Sequence, residues 1–152
     1  MPKRSAGLLM YRHRDHELEV FLVHLGGPFW AKKDLWSIPK GEYLVGEPPL
    51  EAAKREFQEE TGFTAAGNFL ELGDLRQPGG KTVIAWAFES DCDPGQLKSN
   101  TFSMEWPPGS GRRMEFPEVD RGDWFTIDAA RARILKGQRP FLDRLLERVG
   151  SR

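Results

Sequence analysis

Apolar residues recur along this chain in two rhythms, one suited to strands and the other to helices. Segments 5–10 and 19–24 (EVFLVH) are short apolar runs bounded by charge, which predicts two strands joined by a charged turn at 12–17. Segment 26–36 (GGPFWAKKDLW) breaks that rhythm and reads as a loop carrying aromatic and basic side chains. A short extended piece follows at 36–39, because Ile38 precedes Pro39 and is pushed out of the helical region. Residues 41–47, with Gly41 and Gly46, read as a glycine-bearing loop. Over 49–61 the spacing turns helical: Leu50, Ala53 and Phe57 share one stripe, Pro49 stands in the first turn and Gly62 just past the end. Segments 69–76 and 82–89 (TVIAWAFE) predict strands across a turn at Pro78, Gly79 and Gly80. Residues 99–113 read as mostly loop, broken by Pro107, Pro108, Gly109 and Gly111. A strand is predicted at 123–127, then a helix capped by Asp128 and running to Leu135, then an amphipathic helix over 140–149. This order predicts an α+β or α/β/α sandwich, a mixed central sheet flanked by helices, in a single domain spanning 1–152.

Composition narrows the function classes. With 152 residues, 39% apolar and 30% charged, the chain has the balance of a globular protein that buries a core. No apolar run approaches the roughly 18 residues that span a bilayer, and the apolar stretch from Ala6 to Met10 is too short for a signal core. A cytoplasmic protein is expected, monomeric or homodimeric. Cys92 is the lone cysteine, so no internal disulfide forms and no metal site is built on thiolates. Carboxylates and three histidines remain as ligands; His13, His16 and His24 lack a metal-ligand spacing and read as surface or strand residues. The net charge of −1 lacks the basic excess that answers a phosphate polymer. A nucleic-acid partner is not expected, whereas a local pocket for a small anion stays open.

One segment of the predicted helix carries candidate chemistry. At about 100° per residue, with Glu56 at zero, Glu60 falls near +40° and Glu59 near −60°. Three carboxylates share one arc, and small Ala52 lies within it one turn earlier. Like charges so close repel unless a cation neutralises them, and hard oxygen ligands select Mg²⁺, Mn²⁺ or Ca²⁺. Taken alone, three glutamates on a helix face are more often solvated surface, and Arg55 can pair with Glu59 and Glu51.

The whole of 41–63, GEYLVGEPPLEAAKREFQEETGF, changes that balance. It resembles the box of the Nudix hydrolases, Gly-x5-Glu-x7-Arg-Glu-U-x-Glu-Glu-x-Gly-U, with U a bulky apolar residue. Gly41, Glu47, Arg55, Glu56, Phe57, Glu59, Glu60, Gly62 and Phe63 all match, although Phe57 stands where the family more often has an aliphatic residue. The resemblance implies the Nudix fold and a metal-dependent pyrophosphohydrolase using Mg²⁺ or Mn²⁺. It implies Glu56, Glu59 and Glu60 as metal ligands, joined by a backbone carbonyl at Lys40 or Gly41. Glu47 and Arg55 resemble the pair that ties the loop to the helix, with Glu47 close enough to the metals to matter chemically. Gly41 and Gly62 are expected to hold backbone shapes that a Cβ would obstruct. A carboxylate must take the proton of the attacking water. Glu56 is the first candidate for that role, and Glu115 or Glu118 the second, since many relatives return a downstream acid to the metals.

The substrate is less defined. Pro39, Lys40 and Gly41 open the box as in dinucleoside polyphosphate hydrolases, and Lys40 can meet an extra phosphate. The tyrosine that some of those enzymes carry further on is missing, since 79–90 contains none. Pro78, at a position sometimes linked with ADP-ribose hydrolases, is explained by its turn. Trp36 is a candidate base platform together with Phe29 and Trp30; Lys32 and Lys33 lie between them. Arg112, with Trp106 and Arg113, forms a second such set. The expected substrate is a small-molecule nucleotide, with dinucleoside polyphosphates first. The alternatives are NTPs (including oxidised ones), ADP-ribose, and a Nudix-fold module that binds a nucleotide without cleaving it. Such modules commonly lose box carboxylates, and none is missing here. Cys92 is poorly placed for an isomerase variant of the fold.

Overall fold

A computed structural model describes residues 3–150. The first two strands, β1 (Arg4–Arg14) and β2 (Glu17–Leu25), form a hairpin closed by Asp15 and His16, both at positive φ (51° and 67°). That two-residue turn matches the twist of the flanking strands, so pairing runs to Arg14 and Glu17, well into the segment expected as turn. β3 (Trp36–Ser37) pairs with β2, and β4 (Lys40–Glu42) pairs with the start of β1. Helix α1 (Pro49–Thr61) follows, then β5 (Leu70–Arg76) and β6 (Thr82–Glu89). β6 runs parallel to β1 from Arg4 to Tyr11, which makes β1 the middle of the sheet. The sheet order is β3-β2-β1-β6-β5, with β4 on β1 and β9 (Val119–Thr126) on β2.

Along one edge, β1 meets β4 at Ser5–Gly7 and β2 at Tyr11–Arg14. The sheet therefore splits beside Gly7, and the Leu8 N–H donates to the Pro39 carbonyl in the gap (3.1 Å). Side chains on the two faces of β1 alternate as the pleat requires. Ala6, Leu8 and Met10 pack with Ala52, Ala53 and Phe57 of α1, while Leu9 and Tyr11 face the opposite core. That second core is closed by α2 (Ile127–Arg133) and α3 (Arg139–Val149) through Ala130, Phe141, Leu142 and Leu145. The result is the expected α/β/α sandwich. Among the described residues no helix is long and apolar enough to cross a membrane.

Two local expectations are corrected. Thr126, not Asp128, caps α2: its hydroxyl accepts from the Ala129 N–H (3.3 Å), and the helix ends at Arg133. Residues 99–113 are mostly loop, but they hold a strand that the expectation lacked: β7 (Thr101–Glu105), which pairs with β8 (Arg113–Pro117) in a separate two-stranded ribbon. The prolines and glycines at 107–111 lie in its connection.

Candidate active site

Helix α1 presents its acids because its other face is committed to the sheet. Ala53 and Phe57 are buried, and Leu50 packs beside them. Glu56, Glu59 and Glu60 therefore turn toward β4 and open into a cleft of about 860 Å³. Pro49 starts the helix, and Gly62, at φ 80°, ends it with its N–H on the Gln58 carbonyl. At Gly41 a Cβ would overlap the Glu56 carboxylate, so only glycine lets β4 approach α1 this closely.

Arg55 organises the box. Its Nε and Nη2 donate to the two Glu47 carboxylate oxygens (3.1 and 3.3 Å), a fork that fastens the 43–48 loop to α1. Its Nη1 reaches Glu56 (2.9 Å) and Glu59 (3.4 Å). The hydrogen bond from Arg55 holds the Glu47 carboxyl below the usual range. Glu51, an expected partner of Arg55, instead lies near Lys54 (3.9 Å). Arg55→Ala should speed amide exchange in residues 43–48 and lower turnover by about 10–100-fold, the usual cost of losing a side chain that orients ligating groups. Unchanged exchange and unchanged rate would remove Arg55 from the machinery.

Three acids of the cleft, Glu56, Glu60 and Glu118, are held against their charge. Burial, then repulsion from Glu56, pushes the Glu60 carboxyl up to about 8, although the Lys40 ammonium and backbone N–H favour its ionised form. Burial and the neighbouring Glu59 raise Glu56, and the same two causes raise Glu118. Glu118 enters the cleft from the junction of β8 and β9 and makes no side-chain hydrogen bond or ion pair among the described residues. Its position is fixed through the backbone. The Glu118 N–H donates to Asn100, whose N–H donates to the Glu59 carbonyl at the end of α1 (3.0 and 2.8 Å). Glu115 does not reach the cleft; it accepts from the Thr101 hydroxyl on the outlying ribbon (3.2 Å).

Three lysines share the cleft with these acids. Lys40 is largely buried between them and Lys81, and burial lowers its pKa with Glu60 opposing the shift. Lys136 lines the same cleft from the connection between α2 and α3. Gln77 Nε2 donates to the Gly137 carbonyl (2.8 Å), tying that connection to the turn that carries Lys81. Lys81 and Lys136 belong to no motif, and only the packing of distant loops brings them to Lys40.

Two expected substrate contacts are corrected. Trp36 is 4% exposed and packs edge-on against His24 and Phe125, because its pairing with β2 turns it into the core. Arg112 lies exposed on the β7–β8 connection, away from the cleft lining. His24 is on a strand as expected, but fully buried, with Nδ1 2.8 Å from Asp120. Cys92 lies beside Arg12 and Trp124, far from the acids, and burial pushes its thiol up to about 12.

Among the described residues no three acidic, histidine or cysteine side chains are drawn into a closed metal cage. The donor set nevertheless suits a hard divalent cation. Glu56 and Glu60 are forced together under mutual repulsion, beside a glycine backbone and an open cleft. Mg²⁺ keeps several waters and shares its shell with substrate phosphates, so a few carboxylates suffice.

The sequence matches the NUDIX domain family over residues 1–145. An 8-oxo-(d)GTP phosphatase of Mycolicibacterium smegmatis is 31% identical over 139 residues, 84% of this chain and 36% of that protein. The chain spans 33% and 55% of the length of two further curated relatives. Among solved structures, a Caenorhabditis elegans Ap4A hydrolase binary complex superposes with a TM-score of 0.69 at 21% identity, covering 95% of this chain and 97% of that one. The NUDIX domain of Shewanella oneidensis NrtR complexed with ADP ribose superposes with a TM-score of 0.70 at 14% identity, covering 98% and 89%. Both structural likenesses concern the fold.

Proposed function

This chain belongs to the NUDIX domain family, and we propose that it is a metal-dependent pyrophosphohydrolase. Its bond is a phosphoanhydride in a nucleoside diphosphate linked to a further moiety, with dinucleoside polyphosphates as the preferred class. The observation that carries this reading is a single cleft lined by five glutamates (Glu42, Glu56, Glu59, Glu60 and Glu118) together with Lys40, Lys81 and Lys136. Glu56, Glu59, Glu60 and the Gly41 carbonyl would hold Mg²⁺ or Mn²⁺, which supplies charge neutralisation and orientation of the diphosphate. Arg55 and Glu47 keep the box in place. Glu118, with no side-chain partner among the described residues, is the carboxylate available to take the proton of the attacking water. The lysines meet phosphates beyond the scissile pair, which a substrate with a short phosphate chain would not supply.

A second reading, an NTP pyrophosphatase that accepts oxidised nucleotides, is favoured by the name of the 31% identical relative. ADP-ribose is the third candidate, and a non-catalytic module is disfavoured by the intact set of box carboxylates. The test is a panel of dinucleoside polyphosphates, NTPs and ADP-ribose with Mg²⁺ and Mn²⁺, run on wild type and Lys40→Ala. Losing one charge-assisted contact should lower kcat/KM on four- and five-phosphate dinucleotides about tenfold or more relative to ADP-ribose. Equal loss on all substrates would confine Lys40 to supporting the box. No cleavage of any dinucleotide by wild type would move the NTP reading ahead.

A further inference from the structure

We propose that Trp30 is the stacking platform for a nucleobase of the substrate, an inference that rests on the nucleotide reading above. Trp30 lines the cleft shared by the acids and lysines, yet it remains 40% exposed, unusual for so large a ring. Its loop leaves β2 beside Glu118, whose carbonyl accepts the Gly26 N–H (3.0 Å). It rejoins the sheet at β3, where the Trp36 carbonyl accepts from Leu135, next to Lys136 (2.9 Å). Trp30 thus lines the same cleft as the candidate base and the lysines, on a loop whose two ends are anchored beside Glu118 and beside Lys136.

The loop is held in shape from several sides. The Gly27 carbonyl accepts from the N–H groups of Trp30 and Ala31 (3.3 and 3.0 Å), and the Trp30 carbonyl accepts from Lys33 (3.0 Å). Below it, buried His24 contacts the Lys33 carbonyl through Nε2. From outside, the β7–β8 ribbon braces it: Phe102 sits where a Cβ on Gly27 would be, and Trp106 meets Phe29 edge-on at 5.4 Å. The Lys33 ammonium lies over one face of the Trp30 ring, 5.2 Å from its centroid. A broad aromatic surface, pre-positioned at the rim of a site that fixes phosphates, suits the planar base attached to them. The ribbon acquires a role too, as the brace that keeps the platform in place.

The experiment compares two ligands by calorimetry in Mg²⁺: a methylene-bridged diadenosine tetraphosphate, and inorganic tripolyphosphate, which has no base. Trp30→Ala should weaken the dinucleotide about tenfold and leave tripolyphosphate unchanged, while Trp30→Phe should keep most of the affinity. Wild type should bind the dinucleotide more tightly than tripolyphosphate. Equal weakening of both ligands would overturn the proposal and leave Trp30 a support of the cleft. Unchanged dinucleotide binding in Trp30→Ala would also overturn it, placing the base elsewhere. If wild type binds tripolyphosphate with no advantage for the dinucleotide, the platform fails while the phosphate-binding cleft stands. If it binds neither, the nucleotide reading falls and takes the platform with it.

Discussion

Glu60→Gln is expected to make the metal-free protein more heat-stable at pH 8 while lowering turnover at least about 100-fold, through loss of a charge that holds the metal. Burial and Glu56 push the Glu60 carboxyl up to about 8, from 4.5 in the unfolded chain. Below both values it is protonated in either state and costs nothing. As pH rises the unfolded chain releases its proton first, so unfolding gains ground. The penalty grows to roughly 5 kcal/mol and levels off above about pH 8. Glu56 and Glu118, raised as well, tilt stability the same way. Glu47 has the opposite sign, but its stabilisation is already complete above the ordinary carboxylate range and does not cancel the slope. In EDTA the variant should melt about 8–15 °C above wild type at pH 8, with the gap closing toward pH 5. Added Mg²⁺ should raise the wild-type melting temperature more than that of the variant. Identical melting curves from pH 5 to 8, or wild-type turnover in the variant, would show that Glu60 is not held against its charge for a metal.

What the sequence reveals follows the range of the interactions involved. Helix α1 is local: its stripe, its opening proline and Gly62 at its end are read within thirteen residues, and Pro49–Thr61 is the helix observed. The acidic arc follows from the same periodicity, and Arg55 joins Glu47 across the seven residues between them. The place of β1 is not local. Its parallel partner β6 is nearly eighty residues away, and nothing in either strand's pattern names the other. The three cleft lysines escape for the same reason, since Lys81 and Lys136 come to one cleft through the meeting of Gln77 and Gly137.

The misread segments have particular causes. Thr101–Glu105 alternates polar and apolar residues as a strand should, but five residues of alternation were outweighed by the prolines and glycines that follow. Those breakers lie in the connection of a hairpin, where they belong. Trp36 was considered for stacking because it adjoins Phe29, Trp30 and two lysines in sequence. Pairing with His24 turns it inward, and Trp30, in the same loop, faces the cleft instead. Sequence separates such neighbours poorly, because only the strand register decides which ring is buried.

The proton acceptor gives the second large effect. The box alone favours Glu56, but its carboxylate already receives Arg55 Nη1 and lies against Gly41, the place proposed for a metal ligand. Glu118 comes from another element, carries no partner among the described residues, and is raised by burial and by Glu59. A base must be ionised to accept a proton, so its rate contribution falls as pH drops through its pKa. A raised pKa moves that fall upward from the usual carboxylate range. Glu118→Gln should therefore lower kcat by about 10²–10⁴-fold, leave the Mg²⁺ concentration for half-activation nearly unchanged, and flatten the acid limb of the pH–rate profile. Glu56→Gln should also lower kcat, but with a higher Mg²⁺ requirement and the acid limb retained. If the two results are exchanged, with Glu118→Gln within a few-fold of wild type and the acid limb lost in Glu56→Gln, then Glu56 takes the proton and Glu118 only adds negative charge to the cleft.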